Sequence, residues 1–462
     1  MQLQNDLKQL TELLDQVTTH AETMLMGLDA RPAAVLPPLV PPEPLPATGI
    51  GAAAALALFQ QRWAAGLSGS AGPRYLGYVT GGVTPAALLG DWLTSVYDQN
   101  AAYSGDSLAT ALERETLGML RELLGLPTEM QGSFVSGATM ASFVGLALAR
   151  QWFGEQHGVD VAQQGWQGLP ALTVLSATPH SSIYKALAML GLGRASLQLV
   201  ACLPNREAVD STALRYALSQ QQGPCIVVGN VGTVNTGDSD DLSALAELKR
   251  EFDFWLHVDA AFGGVAACAP GYRHVFAGIE QADSLTIDAH KWLNVPYDSA
   301  MQFSRHPQLQ ARVFQSAAAY LSEPGEQPDF LHLTPENSRR LRALATWFSL
   351  RAYGAAGYQA IVEQCCALAQ QLAVLIAADS RLVLLAPVRL NIVCFTLAGG
   401  PSSQAIRSFL HGLQADGRVF LTPTVLHGVP AIRAAFSNWR TTEDDVALVW
   451  QAITEQLERG GI

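Results

Sequence analysis

Charge is scarce in this chain of 462 residues: only 15% are Asp, Glu, Lys or Arg, and 28 basic residues against 40 acidic ones give a formal charge of −12. With no basic run, the chain lacks the cationic footprint that nucleic acid or an anionic membrane requires, which excludes a non-specific polyanion partner. Cysteine is also scarce. Cys202, Cys225, Cys268, Cys365, Cys366 and Cys394 form no CxxC pair, so neither a disulfide framework nor a thiolate zinc site is expected, and no metal is assigned. The longest apolar run, Gly51 to Phe59, falls far short of the ~20 residues that span a bilayer. The polar, acidic start MQLQNDLKQLTELLDQ lacks the positive flank and apolar centre of a secretory signal, so a cytoplasmic protein is expected. Neither GxGxxG nor GxxxxGK[ST] occurs, which removes the usual phosphate loops for dinucleotides and nucleoside triphosphates.

What the chain does have is apolar material, 49% of its residues, too much for disorder and enough for a large core. Leu3, Leu7, Leu10, Leu13, Leu14 and Val17 recur at helical spacing and leave one narrow apolar stripe in need of a partner. The segment from Arg31 to Thr48 then carries Pro32, Pro37, Pro38, Pro41, Pro42, Pro44 and Pro46, which forbid helix and favour an extended connector. Between Thr173 and Arg305 short β-rich runs (TVLSA, LQLVAC, CIVVGNVG, FWLHVDA, SLTIDAH, SAMQFSR) alternate with helical stretches, the pattern of a mainly parallel sheet covered on both faces. Helix returns from Ser338 to Ala378, and LVLLAPV, NIVCFTL and RAAFSN mix with helices after it. The expected division is a helical arm and connector over residues 1–72, a large α/β domain over 73–350 and a small α+β domain over 351–462.

Four short segments carry chemistry. In SLTIDAHKWLNVP, Lys291 follows an apolar strand between His290 and Trp292, an unusual place for a residue that is rarely buried without a partner. In FWLHVDAAFGG, Asp259 ends a strand and is followed by small residues, which suits an ion pair with a flat heteroaromatic cation, although an Asp there can equally cap a helix. In SGATMASFVGLALAR, Gly137, Ala138 and Thr139 open an apolar helix and leave backbone N–H groups for a phosphate, favoured by the helix dipole. In TPHSSIYKALAM, His180 stands at a strand-to-helix junction, where it can cap the helix or stack on a pyridine ring. Together they form the set a pyridoxal phosphate enzyme needs.

On HVDAA and HKW, with Asp259 and Lys291 32 residues apart, the chain resembles the group II pyridoxal-phosphate-dependent amino-acid decarboxylases, which act on aromatic amino acids, glutamate, cysteine sulfinate or diaminobutyrate. The likeness runs from about Tyr75 to the C-terminus. It implies the fold-type I, aspartate-aminotransferase-like architecture: a seven-stranded, mainly parallel sheet, a small C-terminal domain, and an obligate homodimer whose N-terminal arm crosses to the partner and whose active sites lie at the subunit interface. Pyridoxal 5'-phosphate would form a Schiff base with Lys291, with Asp259 on its ring nitrogen, His180 stacked on the ring, Ala261 behind it, and Gly137, Ala138 and Thr139 at the phosphate. His290 matches the histidine beside the lysine, and Thr80, in RYLGYVTGGVTPAALLGDWLTS, matches a substrate-pocket residue.

Three positions depart from the family pattern. A family Thr falls on Val234, which leaves Thr233 as the hydroxyl near the cofactor. The family's Asn-Pro before His-Lys is Asp288-Ala289, which sets a second anion near the phosphate. In the loop Leu321 to Ser338 that closes the site in relatives, the expected Tyr falls on Phe330, a change that in the family accompanies oxidative deamination to an aldehyde; His332 is then the candidate acid. The implied reaction is decarboxylation of an L-amino acid to the amine, with aldehyde formation and a non-catalytic cofactor-binding homologue as alternatives. GDWLTS leans toward acidic substrates and TWFSLRAYGAAGYQA toward aromatic ones.

Overall fold

The computed structural model describes residues 2–316 and 327–460. Seven strands, β1 (Gln131–Val135), β2 (Val174–Ser176), β3 (Leu197–Leu199), β4 (Cys225–Asn230), β5 (Phe254–Asp259), β6 (Ser284–Asp288) and β7 (Ala300–Ser304), form one sheet in the order β1-β7-β6-β5-β4-β2-β3. The pairs from β3 through β2, β4 and β5 to β6 are parallel, and β7 runs antiparallel to both of its neighbours. Alternation along the strands sends side chains to two separate cores. Ile226, Val228 and Trp255 pack with Leu146, Ala147 and Leu148 of the helix Ala138–Gln156, while Val227, Phe254, Leu256 and Val258 face the opposite core. Each fully buried Val, Leu, Ile or Phe contributes roughly 1.5–3 kcal/mol, which explains strands that are apolar on both faces.

The same alternation places the chemistry. Trp255, His257 and Asp259 lie on one face of β5, the face covered by the helix Ala138–Gln156. Strands β4, β5 and β6 end together at Asn230, Asp259 and Asp288. The ends of parallel strands form the crevice where ligands bind in open α/β sheets.

The small antiparallel sheet has the order β10-β11-β9-β8, from β8 (Leu382–Leu384), β9 (Ile392–Leu397), β10 (Thr422–Leu426) and β11 (Val429–Ala435). The helix Ala343–Ala378 connects the two sheets, and the expected boundary at 350/351 falls inside it, just before a kink at Gly354, whose φ of 59° favours glycine. By length and composition this helix is apolar enough to cross a membrane, although scattered polar residues break its apolar runs; in the fold it packs on the helix Pro85–Tyr97 and the small sheet. The arm forms helices Gln2–Lys8 and Leu10–Met26, and the proline segment that follows has neither helix nor strand. Leu3, Leu7, Leu10, Leu14, Val17 and Met26 are all exposed.

Candidate active site

A cavity of about 640 Å³ opens at the strand ends. Among the expected residues, Lys291, Asp259, His180, Ala261, Thr80 and Thr233 line it, and they come from separate segments of the chain. The lysine turn is held by Asn294, which has a φ of 55°, a conformation Asn tolerates. Asn294 donates from Nδ2 to the Trp292 and Ser437 carbonyls at 2.8 and 3.0 Å and accepts from the Trp439 N–H at 2.9 Å. The entrance segment lies directly on this turn: a Cβ on Gly81 would sit 1.8 Å from the Lys291 carbonyl oxygen, so only glycine allows the approach. Ser437 donates to the Thr80 carbonyl at 3.0 Å and Trp439 Nε1 to the Val83 carbonyl at 2.9 Å. The small domain thereby holds Thr80 over the cavity with its buried hydroxyl unpartnered.

Asp259 is 7% exposed. Its carboxylate accepts from the Ala261 N–H at 3.2 Å and has no ion-pair partner among the described residues. Burial holds its carboxyl above the usual carboxylate range, against the pull of Lys291 and His180. A buried carboxylate so poorly satisfied is costly unless a cation meets it, and a protonated ring nitrogen supplies one. His180 caps the helix Ser181–Met189, its Nδ1 accepting from the Ser182 N–H at 3.3 Å and lying 2.8 Å from Ser182 Oγ. Burial lowers its pKa, so a neutral imidazole faces the cavity, the form suited to stacking on a cationic ring.

The expected phosphate cup sits next door. No side chain caps the helix that starts at Ala138, and a Cβ on Gly137 would meet His290 Cε1 at 3.5 Å. Ala138 and Thr139 therefore present the first, uncapped turn of that helix beside His290. The His290 ring packs on Tyr297 with centroids 4.3 Å apart, and its Nδ1 accepts from the Ser299 N–H at 3.3 Å. The residues present fit pyridoxal 5'-phosphate: an unpaired buried carboxylate for the nitrogen and a lysine amine line the cavity, and an uncapped helix start beside His290 suits the phosphate, although Gly137, Ala138 and Thr139 do not themselves line the cavity.

Three expected residues are engaged elsewhere in this structure. Thr233 lines the cavity, but its hydroxyl donates to Glu207 Oε2 at 2.7 Å and accepts from the Asp238 N–H at 3.1 Å, so it holds Glu207 instead of offering a free donor. His332 is 3% exposed and does not line the cavity; its Nδ1 accepts from the Ser316 N–H at 3.2 Å. Phe330 is 1% exposed, its ring against the guanidinium groups of Arg339 and Arg114 at 4.8 and 5.2 Å. In this structure both side chains therefore pack inside the subunit, away from the cavity. Of the loop expected over Leu321 to Ser338, residues 321–326 lie outside the described residues, as does Tyr320. Asp288 is brought to the lysine: its Oδ2 is 2.7 Å from Lys291 Nζ.

Sequence reasoning missed Arg433, Glu207, Asn230 and Tyr78, which also line the cavity. Arg433 is 8% exposed, without a carboxylate partner among the described residues, and donates to the carbonyls of Val234 at 3.2 Å and Gly77 at 3.0 Å while its Nε has no partner. A lone Arg inside the apolar strand VPAIRAA was the available signal. Glu207, in the polar run NREAVD, offered none.

The comparisons agree with this geometry. The family model for the pyridoxal-dependent decarboxylase conserved domain matches residues 58–398. The aromatic-L-amino-acid decarboxylase of Drosophila lebanonensis is 31% identical over 361 residues, 75% of this chain and 88% of that protein. Oryza sativa TDC, solved with PLP and tryptamine, has a TM-score of 0.90 at 23% identity, covering 98% of each chain. Rhodiola rosea 4-hydroxyphenylacetaldehyde synthase has a TM-score of 0.87 at 24% identity, covering 98% of this chain and 99% of its own. At these identities the two structures establish a shared fold.

Proposed function

The chain belongs to the pyridoxal-dependent decarboxylase family and is a carboxy-lyase that uses pyridoxal 5'-phosphate, and from that premise we propose that it converts an aromatic L-amino acid to its amine and carbon dioxide. The observation that carries the reading is the convergence of Lys291, Asp259 and His180 on one cavity. When bound, the cofactor supplies an electron sink for the pair left behind as the carboxylate departs. Asp259 would hold the ring nitrogen in its protonated form, because a buried anion facing that atom favours the cation. His180, neutral and fixed by Ser182, would stack on the cofactor ring, and the small Ala261 would leave room for it.

Arg433 lines the cavity without a carboxylate partner among the described residues, which makes it a cation suited to a substrate carboxylate. Thr80 also lines the cavity, its buried hydroxyl left without a partner. Tyr78, Phe262 and Tyr297 give the lining an aromatic character, and the relatives named above include an aromatic-L-amino-acid decarboxylase; both support an aromatic substrate over an acidic one. Phe330 packs away from the cavity in this structure, which supports the amine over the aldehyde as product. The exposed apolar stripe of the arm supports a homodimer, in which a second copy would cover Leu3, Leu7 and Leu10.

The test is a screen of the common amino acids for carbon dioxide release by the cofactor-loaded protein, with product masses and oxygen uptake recorded together. The expected result is release from Trp, Tyr or Phe, an amine product and no oxygen uptake. Stoichiometric oxygen uptake with an aldehyde product, or release from acidic amino acids alone, would overturn the proposal.

A further inference from the structure

Asp288 stands where the family pattern has a neutral amide, and its environment matches a role other than holding phosphate. It is the last residue of β6, with a side chain 2% exposed. Its backbone is fixed, since its N–H donates to the Ala261 carbonyl at 2.7 Å. Oδ2 lies 2.7 Å from Lys291 Nζ and 3.7 Å from His290 Nε2, while Oδ1 has no hydrogen-bond partner. Burial lowers the His290 pKa, so the imidazole adds little positive charge, and Lys291 is the cation that compensates this carboxylate.

Lys291 has two carboxylates near it, and they are not equivalent. Asp288 makes the close ion pair; Asp259 makes none with the lysine and stays open at the cavity floor. A lysine bonded to an aldehyde carries at most one N–H, whether or not the imine is protonated, and its position is fixed by that bond, whereas a free lysine ammonium has three donors and no covalent tether. The free ammonium is the state that a carboxylate at 2.7 Å suits best, because a close, charge-assisted hydrogen bond in a partly buried site gains more than it does in water.

We propose that Asp288 is a positioning residue that holds the Lys291 amine whenever the lysine is not bonded to the cofactor, leaving Asp259 free for the ring nitrogen. The proposal rests on Lys291 as the cofactor lysine. The two anions then have separate roles, since Asp288 follows the lysine through the cycle and Asp259 stays with the cofactor.

The test uses the cofactor-free chain. Trace acetic anhydride at about pH 8 labels lysines through their neutral amines, and peptide mass spectrometry reads Lys291 against the exposed Lys8 as internal standard. In Asp288→Asn the ratio of Lys291 to Lys8 labelling is expected to rise at least about fivefold, and in Asp288→Glu, which keeps the charge, to stay nearer the unaltered chain. A general loosening of the fold would raise labelling of other buried sites as well, and Asp288→Ser serves in the same assay if the Asn protein does not fold. An unchanged ratio in the folded Asn or Ser variant overturns the proposal. Borohydride reduction of the loaded chain, followed by peptide mapping, should place the cofactor mass on Lys291; its absence there removes the premise and is distinguishable from a failure of Asp288 to hold the amine.

Discussion

Two buried carboxylates, Glu113 and Asp259, meet opposite fates. Glu113 is fully buried and fully engaged: Oε1 accepts from Arg339 Nη2 at 2.8 Å and the Phe134 N–H at 2.9 Å, and Oε2 accepts from Arg339 Nη1 at 3.2 Å. Arg339 also donates to the carbonyls of Ala101 at 2.6 Å and Phe134 at 2.7 Å, tying the chain beyond the family loop to β1. Asp259 receives one backbone N–H and no cation among the described residues. Both groups carry the cost of leaving water. Where the chain supplies the counter-charge, the carboxylate is a staple; where it does not, the site is built for a cation that arrives with a ligand.

The largest effect expected from breaking this contrast is on chemistry. Lys291→Ala should abolish both carbon dioxide release and the absorbance of lysine-bound cofactor, and because it leaves Asp288 buried without its cation it should also lower the melting temperature of the cofactor-free chain. Asp259→Asn should lower kcat by at least about 10²-fold, and because it removes a desolvated anion, the cofactor-free protein should melt no lower than the parent. The reverse holds for the staple. Glu113→Ala leaves Arg339 buried and unpaired and should cost about 3–5 kcal/mol in denaturant unfolding.

A smaller effect separates structure from chemistry by pH. His257, enclosed beneath the site, is pushed down to about 4 by burial. Its neutral form contributes stability that is present above the ordinary value of 6.5 and lost as pH falls toward 4, up to about 3 kcal/mol. Asp240, pushed up to about 6 by burial, acts in the opposite sense, losing stability as pH rises from 3.8 to 6. The comparison is therefore between the parent and His257→Gln: the parent's advantage near pH 7 should narrow at about pH 4.5, as thermal melts at the two pH values would show. Smallest of all, Phe330→Tyr should leave the ratio of amine to aldehyde unchanged and cost only about 1–3 kcal/mol of stability, from a hydroxyl forced into the core.

Much of the fold was legible in the residues alone. β4 and β5 are short apolar runs buried on both faces, and Asp259 and Lys291 stand out because charge is rare at such strand ends. β1 was not recognised, since QGSFV is half polar and forms a strand by antiparallel pairing with β7, a long-range contact that local pattern does not carry. β10 was missed for the same reason; TPTVL pairs with β11 through a tight turn at His427 and Gly428. At the site, Lys291, Asp259, His180 and Ala261 converge as their motifs suggest. Thr233 turns its hydroxyl to Glu207, and His332 and Phe330 pack away from the cavity, orientations that residue type and order do not reveal. Arg433 and Glu207 arrive from elements distant in sequence, and only folding brings them to the cavity.

Asp259 is left without an ion-pair partner among the described residues, and its proposed role is to meet the cofactor's ring nitrogen. The most direct test of that role is the rise in melting temperature on loading pyridoxal 5'-phosphate, measured in the parent and in Asp259→Asn. A clear rise is predicted in the parent, and the Asn variant should largely lose it; an equal rise in both proteins would contradict the role.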